Sequence, residues 1–206
     1  MKKGGEMKIK ILSLVSVSLL LFSWGWNQEV KANFRNASWG MSQEQVKKIE
    51  ENEFYQKSKN QATGLDMLLY KGPAGGRECV IGYYFAENQL VQGRYVFTEG
   101  HSNRNLYIDD FTEIKSSLKE KYGNPTEDDV VWRNDLYKGD FSDWGLAISI
   151  GHAVFEATWA LPETEILLQC KGDNYDITHI LNYRSEIETH KELIKKAEKK
   201  AKKTIW

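Results

Sequence analysis

What most constrains this chain is the shortness of the gaps between its β-like runs. Residues 65–70, 79–85 and 90–98 are apolar, β-branched or aromatic stretches, joined only by Gly72-Pro-Ala-Gly-Gly76 and Glu87-Asn88. Parallel neighbours need a long crossover connection, whereas short turns join antiparallel strands. The pattern resumes later, with strands expected over 130–132, 146–150, 154–159, 164–170 and 176–183, and turns at Leu161-Pro162 and Lys171-Gly-Asp-Asn174. Within 90–98 the period of two puts Tyr95 and Phe97 on one face and Arg94, Val96 and Thr98 on the other. These runs therefore predict an antiparallel meander.

Helices are few. Ser42 followed by Gln45 is a capping box that opens a short helix, with Val46 and Ile49 as its apolar face. Ile108, Phe111, Ile114, Leu118 and Tyr122 recur every three or four residues and form one stripe of a longer helix. Gly123 suits its left-handed end and Pro125 stops it. A last helix is expected from Ser185, with Glu188 completing a second capping box. The fold class expected is α+β: an antiparallel meander sheet with helices on one face, in two helix-then-strands units at 41–98 and 106–183.

Residues 1–32 read as a secretory signal peptide. Lys2, Lys3, Lys8 and Lys10 precede a 12-residue apolar run, 11–22, and Val30-Lys31-Ala32 places small residues at the cleavage positions; Met7 offers an alternative start. Even extended to Trp26, the run falls short of the roughly 20 residues that span a bilayer. The expectation is a signal at 1–32, a single α+β domain at 33–189 and a basic helical tail at 190–206. The protein is then exported, periplasmic or extracellular, without a transmembrane segment after cleavage. With its first Cys at position 79, it carries no lipid anchor.

The chain holds 28 Lys and Arg against 29 Asp and Glu. Partitioned, that balance becomes a basic signal, a body of net charge −9 and a tail of +5. An acidic body repels phosphate backbones, so nucleic acid is not an expected partner. Two Cys exclude a disulfide scaffold, and 41% hydrophobic residues suffice for a packed core.

Trp39-Gly40-Met41-Ser42 with Gln45-Val46, and Leu118-Lys-Glu-Lys-Tyr-Gly123-Asn-Pro125, resemble helix boundaries in small exported bacterial proteins. These include the small-protein-A/outer-membrane-lipoprotein-A group and the β-lactamase inhibitory protein fold. The Phe34-Arg35 to Ser42 opening is closer to exported bacterial proteins of unassigned function. The resemblance implies helices lying across an antiparallel sheet and a role in binding or assembly.

Candidate chemistry is dispersed. Cys79 and Cys170 are an even pair in an oxidising compartment, open between a disulfide and two buried thiols. His101, His152, His179 and His190 lack metal-site spacing, and Asp109-Asp110, Asp128-Asp129 and Asp135, Asp140 and Asp143 lack a glycosidase or calcium-loop pattern. No phosphate loop, nucleophile elbow or HExxH motif occurs in the sequence. Alternating aromatics remain, and Tyr84, Tyr95, Phe97, Trp132 and Trp159 are the candidate binding face. The sequence is thus read as a binding or envelope-associated protein with no catalytic, metal or cofactor residues. Its expected partner is a protein or carbohydrate of the cell envelope. The alternative is a small envelope hydrolase built around His101, Asp135, Asp140, Asp143 and His152.

Overall fold

The computed structural model describes residues 33–204. The expected signal segment and its cleavage motif lie outside the described residues, as do Ile205 and Trp206. Helix α1 (Gln43–Ile49) opens on the capping box: Ser42 Oγ accepts from the Gln45 amide (3.3 Å) and Gln45 Oε1 accepts from the Ser42 amide (2.8 Å). Four strands follow, β1 (Glu53–Lys59), β2 (Asp66–Ala74), β3 (Arg77–Ala86) and β4 (Gln89–Phe97). Helix α2 (Leu106–Tyr122) leads to β5 (Glu127–Trp132), α3 (Trp144–Ser149), β6 (Ala153–Ala160), β7 (Thr164–Asp173), β8 (Asp176–Ser185) and α4 (Glu188–Thr204).

All eight strands form one antiparallel sheet in the order β1-β2-β3-β4-β8-β7-β6-β5. Each meander places its last strand at the centre, so β4 and β8 meet as a seam. The fold is α+β, as the short turns require. Two complete rows of side chains cross the sheet. Phe54, Tyr70, Ile81, Tyr95, Leu181, Leu168, Ala157 and Asp128 lie on one face. Glu53, Lys71, Val80, Val96, Ile180, Gln169, Glu156 and Asp129 lie on the other. The first face carries the main core, closed by Ile108, Phe111 and Leu118 of α2 and by Ala147 and Ile148 of α3.

The end of α2 is built as its sequence suggests. Gly123 has φ +82°, a conformation that suits glycine, and its carbonyl accepts from the indole of the fully buried Trp159 (2.9 Å).

Three elements differ from expectation, one of them in two respects. Residues 146–150 are helical rather than extended: Asn105 Oδ1 accepts from the Gly145 amide (2.7 Å), which seats α3 against the start of α2. A five-residue apolar run has no period of its own, so that long-range bond decides it. Strand β1 lacks an apolar face, being exposed along nearly its whole length, as an edge strand is. Helix α4 starts at Glu188, two residues later than a Ser185 cap implies. Ser185 ends β8, and its hydroxyl bonds His190 Nδ1 (2.8 Å) and accepts from the Ile187 amide (3.4 Å). Finally, α4 departs from the one-face arrangement: Leu193, Ile194 and Ala197 pack on Leu65, Tyr84, Ala86 and Val91, at one end of the opposite face.

Candidate functional site

The strongest concentration of ionisable groups lies where β3 starts, β4 ends and α2 begins. Arg77 at the head of β3 reaches three carboxylates: Glu99 (2.8 Å), Asp110 (2.6 Å) and Glu113 (2.5 Å). His101 Nε2 meets the second oxygen of Asp110 at 2.6 Å, and its ring lies edge-on to Tyr107. Asp110 and Glu113 are a helical turn apart on α2, so the helix aims both at Arg77. The sequence marked His101 and Asp110 separately; the fold joins them. Arg77, Glu99 and Glu113 carried no local signal, because their meeting depends on packing α2 against the first meander.

This cluster bears on the hydrolase alternative and on metal binding. Glu99, His101 and Asp110 offer ligand atoms within 4.8 Å of one another. Arg77 already bridges the two carboxylates, so a cation binding there has to displace an internal guanidinium. The same bridge commits the carboxylates that a general base would require. The acidic loop stays elsewhere: Asp135 pairs with Lys138 (3.4 Å), and Asp140 accepts from the Ser142 amide (2.9 Å). His152 stacks on Tyr137 instead of joining His101.

The cysteines do not meet. Register places Cys79, Phe97, His179 and Cys170 in one row across β3, β4, β8 and β7. Three strand spacings of about 4.8 Å separate the thiols by roughly 14 Å, twice the reach of a disulfide. Both are buried free thiols, pushed up by burial to about 11 for Cys79 and about 12 for Cys170. Neither is a thiolate nucleophile at neutral pH. His179, between Phe97 and Cys170, is 3% exposed; burial pushes it down to about 4, and its Nε2 has no hydrogen-bond partner.

The five candidate face residues are dispersed. Tyr95 and Trp159 are buried on the helix-covered face, Phe97 is half-buried beside Tyr95, and Trp132 packs edge-on to Trp144. Tyr84 alone lies on the opposite face, with Arg94 over its ring and α4 beside it. No continuous aromatic platform forms from these five, because alternation sends four of them under or toward the helices.

Two surfaces remain. A cleft of about 380 Å³ runs between α2 and the sheet; Tyr95, Phe97, Leu181 and Tyr183 form its floor. The opposite sheet face is half-open over β4, β8, β7 and β6. There Val96, Ile180, Leu167, Arg94, Asn182, Gln169 and Glu156 share rows, and Gln92 and Arg94 both donate to Asn182 Oδ1 (2.8 and 3.1 Å). Among the described residues, no helix is long and apolar enough to cross a membrane. Comparison with protein-family models, curated proteins and solved structures finds no match.

Proposed function

We propose that the chain is exported and works by binding a protein partner of the cell envelope through the open face of its sheet, with no chemistry of its own. The observation that carries this reading is the row Val80, Val96, Ile180, Gln169, Glu156, which α2 and α3 leave uncovered. It combines an aliphatic centre with hydrogen-bonded polar groups and charged ends, the composition of a protein interface. Carbohydrate recognition draws on exposed aromatic rings; Tyr84 on this face is buried, and the exposed Tyr55, with Lys71 over its ring, stands on the edge strand β1 away from the centre of the row. The resemblance of the Trp39-Gly40-Met41-Ser42 opening to exported binding and assembly proteins points the same way. The hydrolase reading draws on the His101–Asp110 pair, but its carboxylates are committed to Arg77.

A photoreactive residue at Leu167 or Val80 tests this in intact cells. The expected result is one discrete cross-linked adduct from either position and none from Gln61, away from the rows. Absence of adducts from both face positions in a folded chain overturns the reading. Mass spectrometry of the same material checks export, expected to give a mature chain that begins at Asn33.

A further inference from the structure

We infer that β5, a free edge of the sheet, pairs antiparallel with β5 of a second copy of this chain, about a two-fold axis at Val131. The other edge, β1, carries the devices that block such pairing: a bulge between Phe54 and Gln56, and the charges of Lys57 and Lys59. Strand β5 has neither a register shift nor a lysine along Glu127–Trp132. Its inner edge is spent on β6, and the Arg133 amide extends that ladder by donating to the His152 carbonyl (2.7 Å). Antiparallel alternation therefore turns the backbone groups of Asp128, Val130 and Trp132 outward.

The side chains select a second copy as the occupant. With the axis at Val131, Val130 faces Trp132 of the other copy on the helix-covered side, and Asp129 faces Arg133 on the opposite side, each pair occurring twice. Asp129 and Arg133 are exposed, and neither has an ion-pair partner among the described residues. Four residues apart on one strand, they stand about 13 Å from each other at ~3.4 Å per residue, too far to pair within one copy. Val131, 44% exposed, meets its own counterpart across the axis. Lys115 neutralises Asp128 (2.8 Å), which falls opposite Asn134. Moving the axis to Val130 sets Asp128 against Trp132 and Asp129 against Val131; moving it to Trp132 sets Asp129 against Asp135. Charge and apolar pairing thus favour one register. Beside the edge, Phe141 (56% exposed), Trp144 and Trp132 form a chain of rings at 5.1 and 5.4 Å. They supply the apolar surface that a stable interface needs and a short strand pair lacks. This edge lies away from the uncovered centre over β4 and β8, so the inference is independent of the open-face reading.

Val131→Cys in the full chain tests the axis, because both native thiols are buried. Residues that face each other in a non-hydrogen-bonded antiparallel pair stand about 4.5 Å apart at Cα, within disulfide reach. Mild oxidation is expected to give a covalent dimer from Val131→Cys. Glu127→Cys is expected to stay uncrosslinked, since its two copies stand about 27 Å apart at ~3.4 Å per residue. Sedimentation velocity reads the charge pattern. Asp129→Arg and Arg133→Asp are each expected to weaken association about tenfold, and the double exchange to restore it. Circular dichroism checks that each variant is folded. The inference is overturned if the unaltered chain is a monomer at high micromolar concentration. It is equally overturned if Glu127→Cys cross-links as readily as Val131→Cys, or if association survives both single reversals.

Discussion

The two helix-then-strands units seal the same sheet by different means. In the second, α2 is 17 residues long, and with α3 it covers β6 and β7. In the first, α1 has seven residues and buries only Gln43 and Val46. Residues 33–40 make up the shortfall. Phe34 sits 4.9 Å from the ring of Tyr95, 5.2 Å from Tyr83 and 5.4 Å from Tyr183. Gly93 leaves room for it: a Cβ there meets the Phe34 ring at 2.1 Å. Trp39 Nε1 donates to Thr164 Oγ1 (2.9 Å), tying this segment to the second unit. A short helix thus leaves the sheet to be closed by irregular chain, and the cleft lies between α2 and the sheet floor of Tyr95, Phe97, Leu181 and Tyr183.

The largest expected effects test whether the two seals are equivalent. Phe34→Ala and Trp159→Ala each remove a fully buried aromatic side chain, and each is expected to cost about 3–5 kcal/mol in urea unfolding. If Phe34→Ala costs less than about 1 kcal/mol, the irregular segment is a passive cover and the comparison fails.

Acid should loosen the units in different pH windows. His179 binds a proton more readily unfolded than folded, so its contribution is complete above pH about 6.5 and is lost toward about 4. That is ~3 kcal/mol, and His179→Phe should flatten the slope. In the first unit burial alone would raise Glu50, but hydrogen bonds from Tyr83 and Asn52 and the nearby Arg35 (3.1 Å) hold it below its ordinary value of 4.5. Its contribution is present above that value and falls away only at lower pH. Glu50→Gln is expected to cost about 2 kcal/mol, since it strands Arg35 beside a neutral group.

The smallest effect concerns α4. Deleting residues 193–206 uncovers Tyr84, Ala86 and Val91 and is expected to cost about 1–2 kcal/mol, with a single cooperative transition retained. A loss above about 4 kcal/mol would make α4 part of the main core.

The parts legible in the sequence are those with local physics. The Ser42–Gln45 box, the α2 stripe and the Gly123 stop each depend on residues within a few positions. The short turns dictated antiparallel pairing, and hence the fold class. Strand β1 had no alternation to read, because neither of its faces is buried. The ionic cluster was invisible for a different reason: Arg77 and Glu113 are 36 residues apart, and nothing near either one marks the other. Tyr84 fell on the opposite face from Tyr95 by simple alternation, but which face α4 would cover depended on Leu193 and Ile194 finding Val91 and Ala86.

The β4–β8 seam has a kinetic consequence. Gln92 pairs with Arg184 and Phe97 with His179, so the sheet closes only after nearly the whole domain has left the ribosome. Until then β4 is the outer strand of a four-stranded sheet, with its backbone donors and acceptors along 92–97 unpaired. Such an edge readily accepts another chain, and contacts this distant in sequence form slowly. The waiting time for β8 is therefore the period when two copies are most prone to pair through β4.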